Sequence, residues 1–418
     1  MALHQGLRRR AHCQIILAGR DVTIDIEPFL ISVQVIWTTR GVSKCVIELD
    51  DRDAKLAIPP EGSPISISLG WSPRGPFIPP VPTPIPAGSD LQLPYEGSMV
   101  DVFNGEVKSC ESGFARRGGG RRLWVEGEVV DTTGPIKQPR ASSWGEGEKK
   151  DSDGGMGKGV QLGQVLQDVA KKAGLNAAVS PSMSGIERDF WHMNESPMHM
   201  FQRLADEVGG RVAYDGKGNV EFTGLNETTG STHDAEWGVN LIAWRIKPFV
   251  PRPQYGSSKT NHFNIFGGQW LDTMQSIGGR TPFGGATARF GLPHAAPNKQ
   301  VGGQWNSGAG EASSSRRAEG WVLMNGEPSI QIRDRINIIG ARPGVDGSWF
   351  VEEVEHQYSR RGFTTRVDVA DPNGLAAAFE GMGWPSRNIP GGEVNTPTSP
   401  PATSSAQPQS GSADTADT

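Results

Sequence analysis

The residues that could do chemistry fall into a few clusters. Asp50, Asp51 and Asp53 stand together, and Glu352, Glu353 and Glu355 follow one another far downstream. Two carboxyl groups held roughly 5–10 Å apart would suit glycoside hydrolysis, so a cell-wall hydrolase is one reading. Each cluster also has a plainer reading. The aspartates close the run Ile47-Glu-Leu49, at a strand end where Asp makes turns. The glutamates lie along one strand, Glu353 and Glu355 on one face, with no partner motif. His192 and His199 lack an HExxH pattern and a third ligand, and read as surface or packing residues. Gly157-Lys158 resembles part of a phosphate loop. It fails because Ser152 stands where the first Gly must be and Gly159 replaces the magnesium-binding hydroxyl. The Arg/Gly cluster 116–122 could meet phosphate, but reads as a solvated hairpin tip. Cys13, Cys45 and Cys110 are odd in number and widely spaced, which excludes a disulfide framework and a CxxC metal site. They read as buried or half-buried thiols, with a disulfide between chains as the other possibility. The sequence therefore yields no catalytic, metal or cofactor residue.

The elements around these clusters are mostly strands. Cys45, Ile47 and Leu49 alternate with polar or opposite-face residues, as do Ile65, Ile67 and Leu69, and Val33, Val35 and Trp37 flank Gln34. Ala18-Gly19-Arg20-Asp21 is a turn. Strands resume at 100–107 and 123–130. Trp349, Phe350, Val351 and Val354 follow an Asp346-Gly347 turn signal; Arg360-Arg361-Gly362 turns the chain again before the alternating stretch Thr364 to Val369. Between these lies an α/β piece. Leu162, Val165, Leu166, Val169 and Ala170 make one helical stripe ended by Gly174. A second helix has Ser196 as N-cap and Pro197 at its first position, with Met200, Phe201, Leu204 and Val208 inward and Gly209-Gly210 as its stop. A hairpin around Asp215-Gly-Lys-Gly follows.

Length and composition set the scale. A chain of 418 residues exceeds one ordinary core, so two to four domains are expected. Its 55 glycines and 31 prolines favour turn-rich β-structure. A net charge of −5 with interspersed signs argues against a broad nucleic-acid surface. The first ten residues are not expected to be a secretory signal, and no apolar run of membrane-spanning length is present, so no stable membrane insertion is expected.

In order, several of these motifs resemble the phage late-control protein D family, the tail hubs of contractile-tailed phages, related to the base of type VI secretion spikes. The matching residues in the first part are Gly19-Arg-Asp21-Val, Ile47-Glu-Leu-Asp50-Asp51-Arg-Asp53, Pro60-Glu-Gly62 and Leu69-Gly70-Trp71. In the middle part they are the crossover ending in Ser143-Trp144, then Asn194-Glu-Ser196-Pro197 with Phe201 and Leu204. In the last part they are Gly326-Glu-Pro-Ser-Ile330, Gly347-Ser-Trp349 and His356 through Gly362-Phe363. The likeness spans roughly residues 13 to 372.

The resemblance implies a mostly β, α+β chain with two β-barrel-like hub domains and an α/β domain between them. The expected division is 1–135 with a Pro-rich insertion at 72–95, a crossover and linker at 136–159, the α/β domain at 160–237, a second barrel at 238–372, and a low-complexity tail at 373–418. Residues 251–315 read as a long Gly/Ser/Asn-rich insertion in the second barrel, which either orders against neighbours or stays partly unstructured. The resemblance further implies a homotrimer whose six barrels join a trimeric spike to a hexameric tail tube and nucleate that tube. Other baseplate proteins would surround it, and the bore would pass the tape-measure protein and DNA as transit cargo. It would sit in the virion baseplate, be assembled in the host bacterial cytoplasm, and need no cofactor. Gly19, Asp50 and Gly70 would shape the first barrel; Gly347, Trp349 and Phe363 the second. The competing readings are a non-viral contractile-injection or type VI secretion hub, a tail-associated peptidoglycan hydrolase, and a generic β-rich binding protein, which the Pro-rich segment and exposed aromatics would suit. The Pro-rich segment itself reads as a stiff surface loop, with a polyproline ligand for an SH3-like module as its other reading.

Overall fold

A computed structural model describes residues 9–39, 41–73, 99–115, 120–145, 159–228, 230–248, 255–264, 267–277, 280–281, 284–285, 288–314 and 318–371. The Gly157-Lys158 pair, the Pro-rich run after Pro73, Arg116 to Gly119 of the basic tip, and the stretch after Asp371 lie outside them. The chain is mostly β. A single sheet of thirteen strands runs through it, with a small helical region and an inserted sheet attached.

The first part supplies β1 (Arg9–Leu17), β2 (Arg20–Asp21), the one-turn helix α1 (Thr23–Ile26), β3 (Leu30–Thr38), β4 (Lys44–Asp50), β5 (Pro64–Pro73), β6 (Met99–Ala115) and β7 (Gly120–Glu128). The alternating residues explain the sheet. Val33, Val35, Cys45, Ile47, Leu49, Ile65, Ile67 and Leu69 are buried, and Val102, Phe103 and Val125 meet them from β6 and β7. Each period-2 strand buries one face and leaves the other to polar residues.

The middle region holds β8 (Arg140–Trp144), β9 (Val160–Gln161), α2 (Leu162–Lys172), β10 (Asn176–Val179), α3 (Pro181–Ser184), β11 (Glu187–Arg188), β12 (Trp191–Glu195), α4 (Pro197–Val208), β13 (Gly210–Tyr214) and β14 (Asn219–Gly224). Both long helices follow their apolar stripes: Leu162, Val165, Leu166 and Val169 are buried on α2, and Met200, Phe201 and Leu204 on α4. Ser196 caps α4 by accepting from the His199 amide, Pro197 occupies its first turn, and Gly209 ends it in the left-handed region at φ 71°. Strands β10, β14 and β13 form a small sheet under the helices.

The last part contributes β15 (Thr232–Glu236), β16 (Leu241–Lys247), then an insert of β17 (Ser257–Asn264), β18 (Gln269–Ser276), β19 (Arg280–Thr281), β20 (Gly284–Gly285), β21 (Arg289–Gly291) and α5 (Lys299–Ser314). After it come β22 (Ala318–Asn325), β23 (Arg335–Ile339), β24 (Gly347–Ser359) and β25 (Gly362–Asp371). The described part of the insert is ordered and packs against the middle region, one of the two outcomes its composition left open. Its strands hide polar side chains: Thr260 Oγ1 donates to Asn306 Oδ1 at 2.8 Å, Asn306 Nδ2 donates to the Thr273 carbonyl at 3.0 Å, and Ser258, Thr260 and Asn306 are buried. The same composition that suggests a loop builds a polar core between a sheet and a glycine-rich helix. Gly308 lets α5 close on α4, because a Cβ there would stand 2.6 Å from the Glu207 carbonyl oxygen. Gln300 and Gln304 both donate to the Glu187 carbonyl.

The large sheet is two copies of one pattern. The first six-stranded unit runs β3-β4-β7-β6-β5-β1, and the second runs β16-β22-β25-β24-β23-β15. Ranked by chain position, both read second, third, sixth, fifth, fourth, first. The registers agree as well. Between β3 and β4 one residue, Ile31, bulges after the Leu30–Leu49 pair; between β16 and β22 Ile242 bulges after the Leu241–Met324 pair. Lys108 bulges from β6 between the Val107–Gly127 and Ser109–Glu126 pairs; Glu352 bulges from β24 between the Val351–Val369 and Glu353–Asp368 pairs. Only the first strand differs in direction: β1 runs antiparallel to β5, whereas β15 runs parallel to β23.

Candidate functional site, the junction between the repeated units

One strand joins the two units. The first residues of β24, Gly347 to Phe350, pair with β23; beyond the Glu352 bulge, Glu353 to Ser359 pair along the same edge with β3. The bulge lets one long strand serve both units, since an extra residue bends and twists it locally. Across the junction, Gln34 Nε2 donates to Glu355 at 2.5 Å. Burial, with Asp368 and Glu355 nearby, pushes the Glu353 carboxyl above its ordinary pKa.

Residues from both ends of the chain meet beside this junction. The Trp71 indole N–H donates to the Gly326 carbonyl at 2.6 Å, and its ring lies 5.8 Å from that of Phe363. Phe363 in turn packs 5.9 Å from His356. Gly326 has no room for a side chain, because a Cβ would stand 2.1 Å from the Phe363 ring. His356 is almost fully buried, its Nδ1 3.0 Å from Thr365 Oγ1, and burial lowers its pKa to about 4. Trp71, His356, Gly362 and Phe363 are thus brought together, which their separation in sequence does not reveal.

The middle region locks onto the same strand. Arg211 Nη2 meets Glu352 Oε1 at 3.2 Å, both side chains nearly buried, and the guanidinium stacks 4.5 Å from the centre of Phe350. Arg333 pairs with Glu221 of β14. Gly216, at φ 71°, sits so close to β6 that a Cβ would stand 1.8 Å from the Asn104 carbonyl oxygen. A 220 Å³ cavity remains in this seam, lined by Trp37, Tyr214, Lys217, Gln331, Arg333 and His356 among others.

The other residues singled out by sequence take structural places. Gly19 (φ 78°) turns β1 into β2, where Asp21 accepts from the Thr23 amide and from Gln14. Asp50 pairs with Arg52, Asp51 accepts from the Leu56 amide, and Asp53 pairs with Lys55. The aspartate cluster therefore shapes a turn. Gly62 (φ 76°) donates to the Val107 carbonyl, and Gly70 is paired on both sides within β5. Gly347 and Gly362 have φ of 138° and 144°, and Trp349 is buried with its N–H on the Val345 carbonyl. His192 and His199 are exposed. Burial raises the pKa of all three thiols, that of Cys45 to about 12. Among the described residues no three His, Cys, Asp or Glu side chains are grouped to hold a metal, and no helix is long and apolar enough to cross a membrane.

No family model matches the chain. In sequence, 202 residues are 23% identical to the probable baseplate hub protein of Escherichia phage P2. That match takes in 48% of this chain and 42% of the phage protein, so the chain spans less than half the length of the curated relative it matches. In fold, it is similar to the 43 kDa tail protein of prophage MuSo2 from Shewanella oneidensis, with a TM-score of 0.58, 14% identity, and coverage of 87% of this chain and 99% of that one. It is likewise similar to the tail protein from Neisseria meningitidis MC58, with a TM-score of 0.56, 11% identity, and the same coverage. The chain thus resembles the phage baseplate hub family in sequence and shares its fold with prophage tail proteins.

Proposed function

We propose that this chain is a structural hub of a phage tail baseplate and not an enzyme. In this reading three copies form a ring of six barrel-like units, threefold toward a trimeric spike and nearly sixfold toward a hexameric tail tube. The ring nucleates the tube, contacts the other baseplate proteins, and leaves a bore for the tape-measure protein and for DNA in transit. The observation that carries it is the duplicated strand order, with two bulges at matching register positions. A chain that presents the same unit twice can meet sixfold symmetry with three copies, and closed rings need such an adapter between unlike symmetries. Assembly in the host cytoplasm follows from where tails are built.

The test is the native mass of the full-length chain by light scattering, alone and with the spike protein encoded beside it. Three chains per particle in either sample is the expected result. A monomer in both would remove the ring. Clearing of cell-wall material in a zymogram by the purified chain would instead restore the hydrolase reading.

A further inference from the structure

We propose that the C-terminal half of β6 in one copy pairs with β16 of the next copy, in the register that β24 and β3 use within a chain. The inference rests on the hub reading and names its interface.

The duplicated pattern supplies the argument. Strand β24 corresponds to β6 and strand β3 to β16, aligned by their bulges at Glu352 and Lys108, and at Ile242 and Ile31. Within the chain, the half of β24 past its bulge covers the outer edge of β3. The counterparts of both edges carry no strand among the described residues. Strand β16 ends the sheet, and the pairing of β6 with β5 stops at Glu106. Unpaired edges of this length are normally covered or blunted.

The side chains fit what the register brings together. Within the chain Glu355 faces Ile36, His356 faces Val35, Gln357 faces Gln34, Tyr358 faces Val33 and Ser359 faces Ser32. Carried over, Glu111 faces Lys247, Ser112 faces Ile246, Gly113 faces Arg245, Phe114 faces Trp244 and Ala115 faces Ala243. The first pair joins opposite charges, both exposed in the single chain. The fourth covers Phe114, which is 73% exposed and is the largest apolar side chain on that half-strand. The ladder then ends at Pro248, which has no N–H to donate. Each copy gives β6 to one neighbour and β16 to the other, a head-to-tail contact that closes only as a ring.

Disulfide trapping tests it on the full-length chain, with and without its spike protein. Cys110 is first changed to Ser. The pair Glu111→Cys with Lys247→Cys places two thiols on directly opposed residues, at a spacing a disulfide bridges. The expected result on mild oxidation is a covalent ladder of chains, absent from Glu111→Cys or Lys247→Cys alone. A register-shifted pair, Ser109→Cys with Lys247→Cys, should link at least several-fold more slowly. Phe114→Ser should lower the oligomer fraction with its melting curve unchanged, because the side chain is exposed in the single chain. An oligomer by light scattering that does not link through 111 and 247, or that links both pairs equally, overturns the junction and leaves the hub reading intact. A monomer under every condition overturns both.

Discussion

The two six-stranded units share strand order and two aligned bulges, while a further bulge at Val102 in β5–β6 has no counterpart in β23–β24, and they fill the aligned positions with different chemistry. At one aligned pair the first unit sets Ile65 opposite Gly105, and the second sets Ile336 opposite Trp349. Gly105 is needed because a Cβ would stand 2.2 Å from the Glu128 carbonyl oxygen, so the backbone closes there. The first unit takes its aromatic bulk two residues earlier, from the buried Phe103, where the second has Gly347. At the bulge, Lys108 lies half-buried 3.7 Å from Asp131, whereas Glu352 is buried against Arg211. The difference teaches that hydrogen-bond register, and not side-chain identity, is what the units hold in common. At this bulge the second unit takes a buried ion pair from the middle region, whereas the first meets that region through a shared apolar core and the close approach of Gly216 to Asn104.

The core offers the hardest test of that comparison. Trp349→Ala should remove a buried aromatic and cost ~3–5 kcal/mol in denaturant unfolding, while Gly105→Ala at the aligned position should cost ~1–3 kcal/mol through crowding. A Trp349→Ala chain that melts like the parent would show that the second unit is not built around it. Next comes the bulge. Glu352→Ala removes the charge partner of the Arg211 guanidinium in a buried seam and should cost ~3 kcal/mol.

Acid should separate the units too. His356 is held neutral with a pKa of about 4, against about 6.5 when unfolded. Above pH 6.5 its neutral burial is without penalty. As pH falls from 6.5 toward 4 the unfolded chain takes up the proton first, and stability drops by on the order of 3 kcal/mol, levelling below pH 4. The aligned residue of the first unit is Ser112, which does not titrate. His356→Gln should flatten that part of the pH profile; an unchanged slope would place its origin elsewhere. The smallest effect is expected at Lys108→Ala, below ~1 kcal/mol because its partner is solvent-screened. A cost equal to that of Glu352→Ala would erase the contrast between the bulges.

The strands and both long helices were legible because burial imposes a period. Cys45, Ile47 and Leu49, or Leu162, Val165 and Val169, must alternate or recur to reach a core. The turn glycines and the Ser196 cap were legible for the same local reasons. The duplication was not, since Gly105 aligns with Trp349, Lys108 with Glu352 and Ser112 with His356, and no periodic signal reports register. The sequence leaves the insert's order open because Ser258, Thr260 and Asn306 satisfy one another inside it, and buried polar groups look like loop residues until their partners are known. The meeting of Trp71 with Phe363 depends on pairing across most of the chain, which no local pattern encodes.

Electron cryomicroscopy of the assembled chain tests the central claim most directly. The account expects a closed ring of six similar β-units with threefold symmetry, in which junctions within a chain and between chains alternate and look alike. Single chains, or an assembly in which the two units of a chain occupy unlike positions, would contradict it.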